Sequence, residues 1–143
     1  MIYTKAKSKL ALALALCCSL WACRRNKIEV TVVLIMGEWQ RLDSNKPDND
    51  GMNLIVDTSG GLGYGRLSFL PTPNAYFDLG DEKWKEIRPT VDSSYTYRDL
   101  GSDGNYYNGT MRLTEDVDGL YLDLKVESPF EGYGNSQRWY KQR

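Results

Sequence analysis

The chain has 143 residues, 18 Lys and Arg against 19 Asp and Glu, and no histidine. That length is one domain with room for an appendage. The missing histidine excludes a Ser/His/Asp triad, an imidazole base and a His-ligated metal. Lys5, Lys7 and Lys9 are the only charges in residues 1–22, so the remainder holds 15 bases against 19 acids. An acidic body without a basic reading element argues against a nucleic-acid partner.

Residues 10–22 (LALALALCCSLWA) are uncharged and follow a lysine-bearing stretch, the layout of an export signal. The 13-residue apolar run is too short to cross a hydrocarbon core, which takes about 20 residues. It ends in Leu20-Trp21-Ala22-Cys23, which resembles a bacterial lipobox. The resemblance implies that residues 1–22 are a lipoprotein signal peptide, that Cys23 is the lipid anchor, and that 23–35 form a tether. An ordinary signal peptide with an incidental Cys23 is the alternative. Several acyl chains on one residue make a stable anchor. All three cysteines lie at or before Cys23, so no disulfide can form within the exported body and its core must carry stability. A body of about 120 residues is large enough to do so. The expected location is a bacterial cell envelope, lipid-anchored in the outer membrane. Arg24 and Arg25 do not resemble an acidic surface-export tether and point to the periplasmic side.

The β-branched run IEVTVVLI leads the tether into a first strand. Weak alternation then predicts strands at 37–43, 52–57, 65–70, 75–79, 83–88 and 94–100, with a last one at 136–141. The separators SNKPDNDG, TSGGLG, PTPN, GDE, PTVDS, GSDG and SPFEGYGN are turn-forming clusters. The clearest signal is a hairpin over 105–127. Tyr107, Gly109, Met111 and Leu113 alternate with polar residues, as do Leu120, Leu122, Leu124 and Val126, and Asp118-Gly119 is a turn pair. This makes nine short strands and no helical period over ten or more residues after position 24. The pattern predicts an all-β domain over 36–143: an antiparallel up-and-down barrel of about 8–9 strands, or a sandwich. Closure is favoured because it leaves no free edges.

Gly60-Gly61-Leu62-Gly63-Tyr64-Gly65 lacks the following Lys-Ser/Thr and helix of a phosphate loop and reads as a hairpin loop. Lys46 to Gly51 is half a calcium loop with Lys where the first acid belongs, so it reads as a solvated turn. Glu115, Asp116 and Asp118 read as a polar turn, and Asn108-Gly109-Thr110 as mid-strand polar positions. No carboxylate pair stands out as a glycosidase pair. No catalytic residue, metal site or cofactor is expected.

Met36-Gly37-Glu38-Trp39 opens the strand region, and Gln137-Arg138-Trp139-Tyr140-Lys141 closes it. In sequence and placement these resemble the lipocalin-like (calycin) barrels, in particular the small lipocalin-like lipoproteins of Bacteroidota envelopes. The resemblance covers about residues 36–142 and implies that Gly37 and Trp39 close one barrel end, with a basic residue of the last strand across the indole ring. Arg138 is the first choice for that cap and Lys141 the second. An ordinary core tryptophan is the alternative. The second motif and C-terminal helix of longer lipocalins are absent, so architecture carries over and ligand chemistry does not.

Strand parity puts Tyr107 inward with Met111 and Leu113, Tyr106 outward, and Tyr95 and Tyr97 on one face, with Trp84 a further lumen candidate. A lumen lined by Trp84, Tyr95, Tyr97, Tyr107 and Met111 would suit a small apolar or amphipathic ligand. In a narrow barrel the same residues are packed core. Two functions follow: a non-enzymatic envelope protein that binds a small hydrophobic ligand, or a filled barrel serving protein–protein interaction as an inhibitor or a subunit of an envelope complex.

Overall fold

The computed structural model describes residues 34–42, 49–71, 73–128 and 135–142. The signal, Cys23 and the tether as far as residue 33 lie outside the described residues, as does most of IEVTVVLI. Eight strands are described: β1 (Gly37–Arg41), β2 (Asn53–Ser59), β3 (Leu62–Phe69), β4 (Glu82–Pro89), β5 (Ser94–Leu100), β6 (Tyr106–Asp116), β7 (Gly119–Val126) and β8 (Ser136–Lys141). Each pairs with its neighbours in chain order, and β1 pairs antiparallel with β8, closing the barrel. The expected up-and-down barrel is the observed fold.

Local chemistry sets the boundaries. Ser59 pairs with Leu62 across Gly60 and Gly61, whose φ values of 59° and 80° suit the tight turn that favours right-twisted hairpins. The loop predicted over 60–65 is therefore only two residues long, and Leu62 to Gly65 belong to β3. The β6–β7 hairpin forms as predicted but its turn is displaced by one residue. Asp116 pairs with Gly119, so Val117-Asp118 make the bend and only Gly119 has a positive φ, of 140°.

The strand expected at 75–79 is absent; those residues lie in the β3–β4 connection. Pro71 and Pro73 precede the segment, the N–H groups of Tyr76 and Asp78 donate to the side chains of Asn74 and Asp81, and only Phe77 of its alternating apolar residues is buried, while Leu79 stays exposed. Gly80 N–H donates to Leu67 O, which folds the connection back onto the end of β3.

β4 is irregular. Its register against β3 steps from Gly65–Trp84 to Arg66–Glu82, leaving Lys83 as an extra residue, so Lys83 and Trp84 are both buried. A second shift between Lys85 and Arg88 accompanies a φ of 54° at Glu86 and returns Ile87 to the interior.

The topology gives the barrel two unlike ends. The chain enters at one, where β2–β3, β4–β5 and β6–β7 are joined by short turns; the longer β1–β2, β3–β4 and β7–β8 connections lie at the other. Between them sits a single core that includes Trp39, Trp84, Trp139, Tyr95, Tyr97, Leu54, Ile87, Met111, Leu122 and Leu124. Fully burying a side chain of Leu or Phe size stabilises by about 1.5–3 kcal/mol. Three inward glycines make room for large partners. A Cβ on Gly63 would stand 3.0 Å from Ile87, one on Gly65 3.1 Å from Trp84, and one on Gly109 2.6 Å from the Tyr97 ring.

Candidate functional site

Trp39 lies fully buried at the chain-entry end, its indole N–H donating to Ile35 O at 2.8 Å. The basic residue over its ring is Lys141, not Arg138. Lys141 Nζ sits 5.6 Å from the ring centroid and donates to Leu34 O at 3.0 Å. Parity explains the correction: on β8, Gln137, Trp139 and Lys141 share the inner face, which turns Arg138 outward. Arg138 instead stacks at 4.3 Å on Tyr121 and faces Asp123 at 3.5 Å. Gly37 has a φ of 116°, a region favouring glycine, and so allows the turn at 34–35 to run into β1.

Tyr95, Tyr97, Tyr107 and Met111 take inner positions as parity predicts, and Trp84 joins them beside the β4 bulge. Trp84, Tyr95, Tyr97 and Met111 are each no more than 3% exposed. They fill the space themselves: Trp84 meets Tyr97 edge-on at 6.0 Å and Trp139 at 4.8 Å. Tyr107 is half-buried at the loop-rich end, its hydroxyl donating to the Asp103 carboxylate. That bond and those from Asn105 lower the Asp103 pKa to about 2. Tyr106 faces outward as expected, with Lys85 Nζ 3.5 Å from its ring centroid.

Polar chemistry inside the barrel concentrates at the loop-rich end. Arg41, Lys83, Asp99 and Gln137 are buried there on inner positions, with Asn49 beside them in the β1–β2 connection. Lys83 Nζ donates to Asp99 Oδ2 at 2.8 Å and to Leu100 O, and lies 5.0 Å from the ring of Phe77. Gln137 Nε2 donates to the same carboxylate oxygen at 3.3 Å, and Trp139 Nε1 donates to Gln137 Oε1 at 3.1 Å. Buried atoms around this cluster without a hydrogen-bond partner include Trp84 Nε1, the Tyr97 hydroxyl oxygen and Asp99 Oδ1. Burial and the Asp99 charge raise the Tyr97 pKa well above its ordinary value, against a smaller opposing effect of Arg41.

None of the four inner residues of this cluster was among the predicted site residues, yet three were legible. Arg41 shares parity with Trp39, Asp99 with Tyr95 and Tyr97, and Gln137 with Trp139. Lys83 was not, because a bulge buries it.

The outer face of β5–β8 carries an open groove of about 770 Å³. Two rows of outward side chains wall it: Ser94, Arg112, Asp123 and Arg138 in one, Thr96, Thr110, Lys125 and Ser136 in the other. Between the rows lies the backbone of Tyr95, Met111, Leu124 and Gln137, whose side chains turn inward.

Glycines 60–65 form a turn and a strand start, with no helix at hand. Asn49 to Gly51 form a turn in which Asn49 accepts from Asn74 Nδ2 at 3.0 Å; residues 46–48 of the half calcium loop lie outside the described residues. Among the described residues no cluster of His, Cys, Asp and Glu could hold a metal ion, and no helix is long and apolar enough to cross a membrane. Comparison with protein-family profiles, curated proteins and solved structures finds no match for this chain.

Proposed function

We propose that this chain is a binding protein of a bacterial cell envelope, exported by residues 1–22 and held by lipid on Cys23, whose packed barrel engages partners from outside. The supporting observation is the filled interior: the aromatics that could line a ligand cavity pack against one another instead. A frame of this kind holds surface groups rigidly, and its connections can vary without disturbing the core. The lack of histidine favours binding over catalysis. The test is displacement of a hydrophobic fluorescent probe on purified residues 24–143. No saturable binding is expected, and saturable binding relieved by shrinking the lumen would overturn the scaffold reading.

A second reading, a small polar or amphipathic guest inside the loop-rich end, is favoured by the partnerless polar atoms of Trp84, Tyr97 and Asp99. Two donors and one acceptor in a buried cluster suit a guest that both accepts and donates. Chemical-shift changes confined to Trp84 Nε1–H on adding small amphiphiles would support it. For the anchor, metabolic labelling with an alkynyl fatty acid is expected to mark the wild type and not Cys23→Ser.

A further inference from the structure

The outer groove across β5–β8 is out of character with the rest of the molecule. The body has more acids than bases, yet this groove holds Arg112, Lys125 and Arg138 against a single acid, Asp123. Asp123 is engaged by Arg138 on one oxygen and by Thr114 Oγ1, 3.1 Å away, on the other. Among the described residues neither Arg112 nor Lys125 takes part in an ion pair. Two cations thus stand uncompensated in a concave surface, where their charge reaches solvent with least cancellation. Arg88 and Arg98 continue the cationic track onto β4 and β5, sharing Glu86 at 3.8 and 4.0 Å.

We infer that this groove binds an extended acidic polysaccharide through its carboxylates and hydroxyls. The inference rests on the reading of the barrel as an externally acting scaffold and names the chemistry of the partner. Arginine offers a planar fork for a carboxylate, and lysine a point charge. Around the cations stand Thr90, Ser94, Thr96, Thr110 and Ser136, small hydroxyl side chains that can exchange hydrogen bonds with sugar hydroxyls. With strands about 4.8 Å apart, the track from β5 to β8 is roughly 15 Å long, a length suited to several sugar units in a row. At the Arg138 end the track is bounded by the Tyr121–Tyr140 pair, with ring centroids 5.2 Å apart and the Arg138 guanidinium stacked on Tyr121. An acidic peptide fits less well: the closed barrel leaves no strand edge to pair with, and among the described residues Leu42 is the only exposed apolar side chain along the groove. A lipid surface fits less well for the same want of apolar groups.

The test is isothermal titration of the full chain in neutral detergent with an oligogalacturonate, its methyl-esterified counterpart and poly-glutamate. The acidic glycan is expected to bind, more weakly as salt is raised, and the ester not to bind. Arg112→Ser and Lys125→Ser should each weaken binding roughly tenfold, and Asp123→Asn should strengthen it; all three sites lie on the outer face, and unchanged circular dichroism checks the fold. No binding, or binding unaffected by these substitutions, would overturn the inference. Poly-glutamate binding as tightly through the same residues would overturn it in favour of an acidic protein, and equal binding of the ester would remove charge from the argument. None of these failures touches the scaffold reading, which falls only if the hydrophobic probe binds saturably inside the barrel.

Discussion

The two ends of the barrel interior solve burial in opposite ways. At the chain-entry end the inner side chains among the described residues are almost wholly apolar, and Lys141 keeps its charge at the rim over Trp39. At the loop-rich end the interior takes in Arg41, Lys83, Asp99 and Gln137. The contrast follows from the connections. Among the described residues that end has short turns and the 34–35 turn, whose Ile35 packs into the core and accepts from Trp39, so an apolar plug serves. Long connections bring Phe77 and Asn49 over the other end, and the end of β5 supplies a carbonyl, Leu100 O, for the buried Lys83 ammonium. Apolar packing gives non-directional stability, whereas a buried ion pair demands one geometry and penalises the loss of either member.

The sharpest way to break the comparison is to remove one partner of that pair. Lys83→Met leaves the Asp99 carboxylate buried without its ammonium and should cost about 3–5 kcal/mol in urea unfolding. The double variant Lys83→Met, Asp99→Leu should recover most of that loss. A double variant as unstable as the single one would mean that the site is not governed by the pair.

Gly109 tests the packed middle of the barrel. Gly109→Ala drives a methyl into the Tyr97 ring and should cost about 1–3 kcal/mol, and Tyr97→Leu in the same chain should relieve part of it. At the apolar end, Lys141→Met should destabilise by about 1 kcal/mol through loss of its carbonyl hydrogen bond and ring contact. Arg138→Gln, half-exposed, should cost less than about 1 kcal/mol. The reverse order would restore Arg138 as the cap.

The smallest effect expected lies at the rim of the loop-rich end. The Asp103 carboxyl should titrate near 2 by NMR, and Tyr107→Phe should move it back toward 3.8. Because the folded value is depressed, whatever stability this contact contributes is present above the unfolded carboxylate pKa and is lost as pH falls toward 2.

Much of this was legible in the residues. Alternation at 107–113 and 120–126 identified the central hairpin, because one buried face imposes a period of two. The same parity placed Tyr95, Tyr97, Tyr107 and Met111 inward. It failed wherever the backbone breaks step. Bulges at Lys83 and Glu86 change which residues of β4 face in, and bonds from the Tyr76 and Asp78 N–H groups to the side chains of Asn74 and Asp81 hold in turns the strand suggested by Ala75, Phe77 and Leu79. The groove escaped notice because Arg112, Lys125 and Arg138 come from three strands, and only their pairing makes them neighbours.

Alternation and turn clusters in the residues alone were enough to give an all-β body after position 36 whose strands expose one face and bury the other. Those are properties of local composition and spacing. The tertiary structure alone decided that the lumen is filled, that Lys141 rather than Arg138 covers Trp39, and that one end of the interior is charged. Each depends on registers between strands far apart in the chain. Register is set by the summed packing of a closed barrel, where Gly63, Gly65 and Gly109 give up volume for Ile87, Trp84 and Tyr97, and no single segment carries that information.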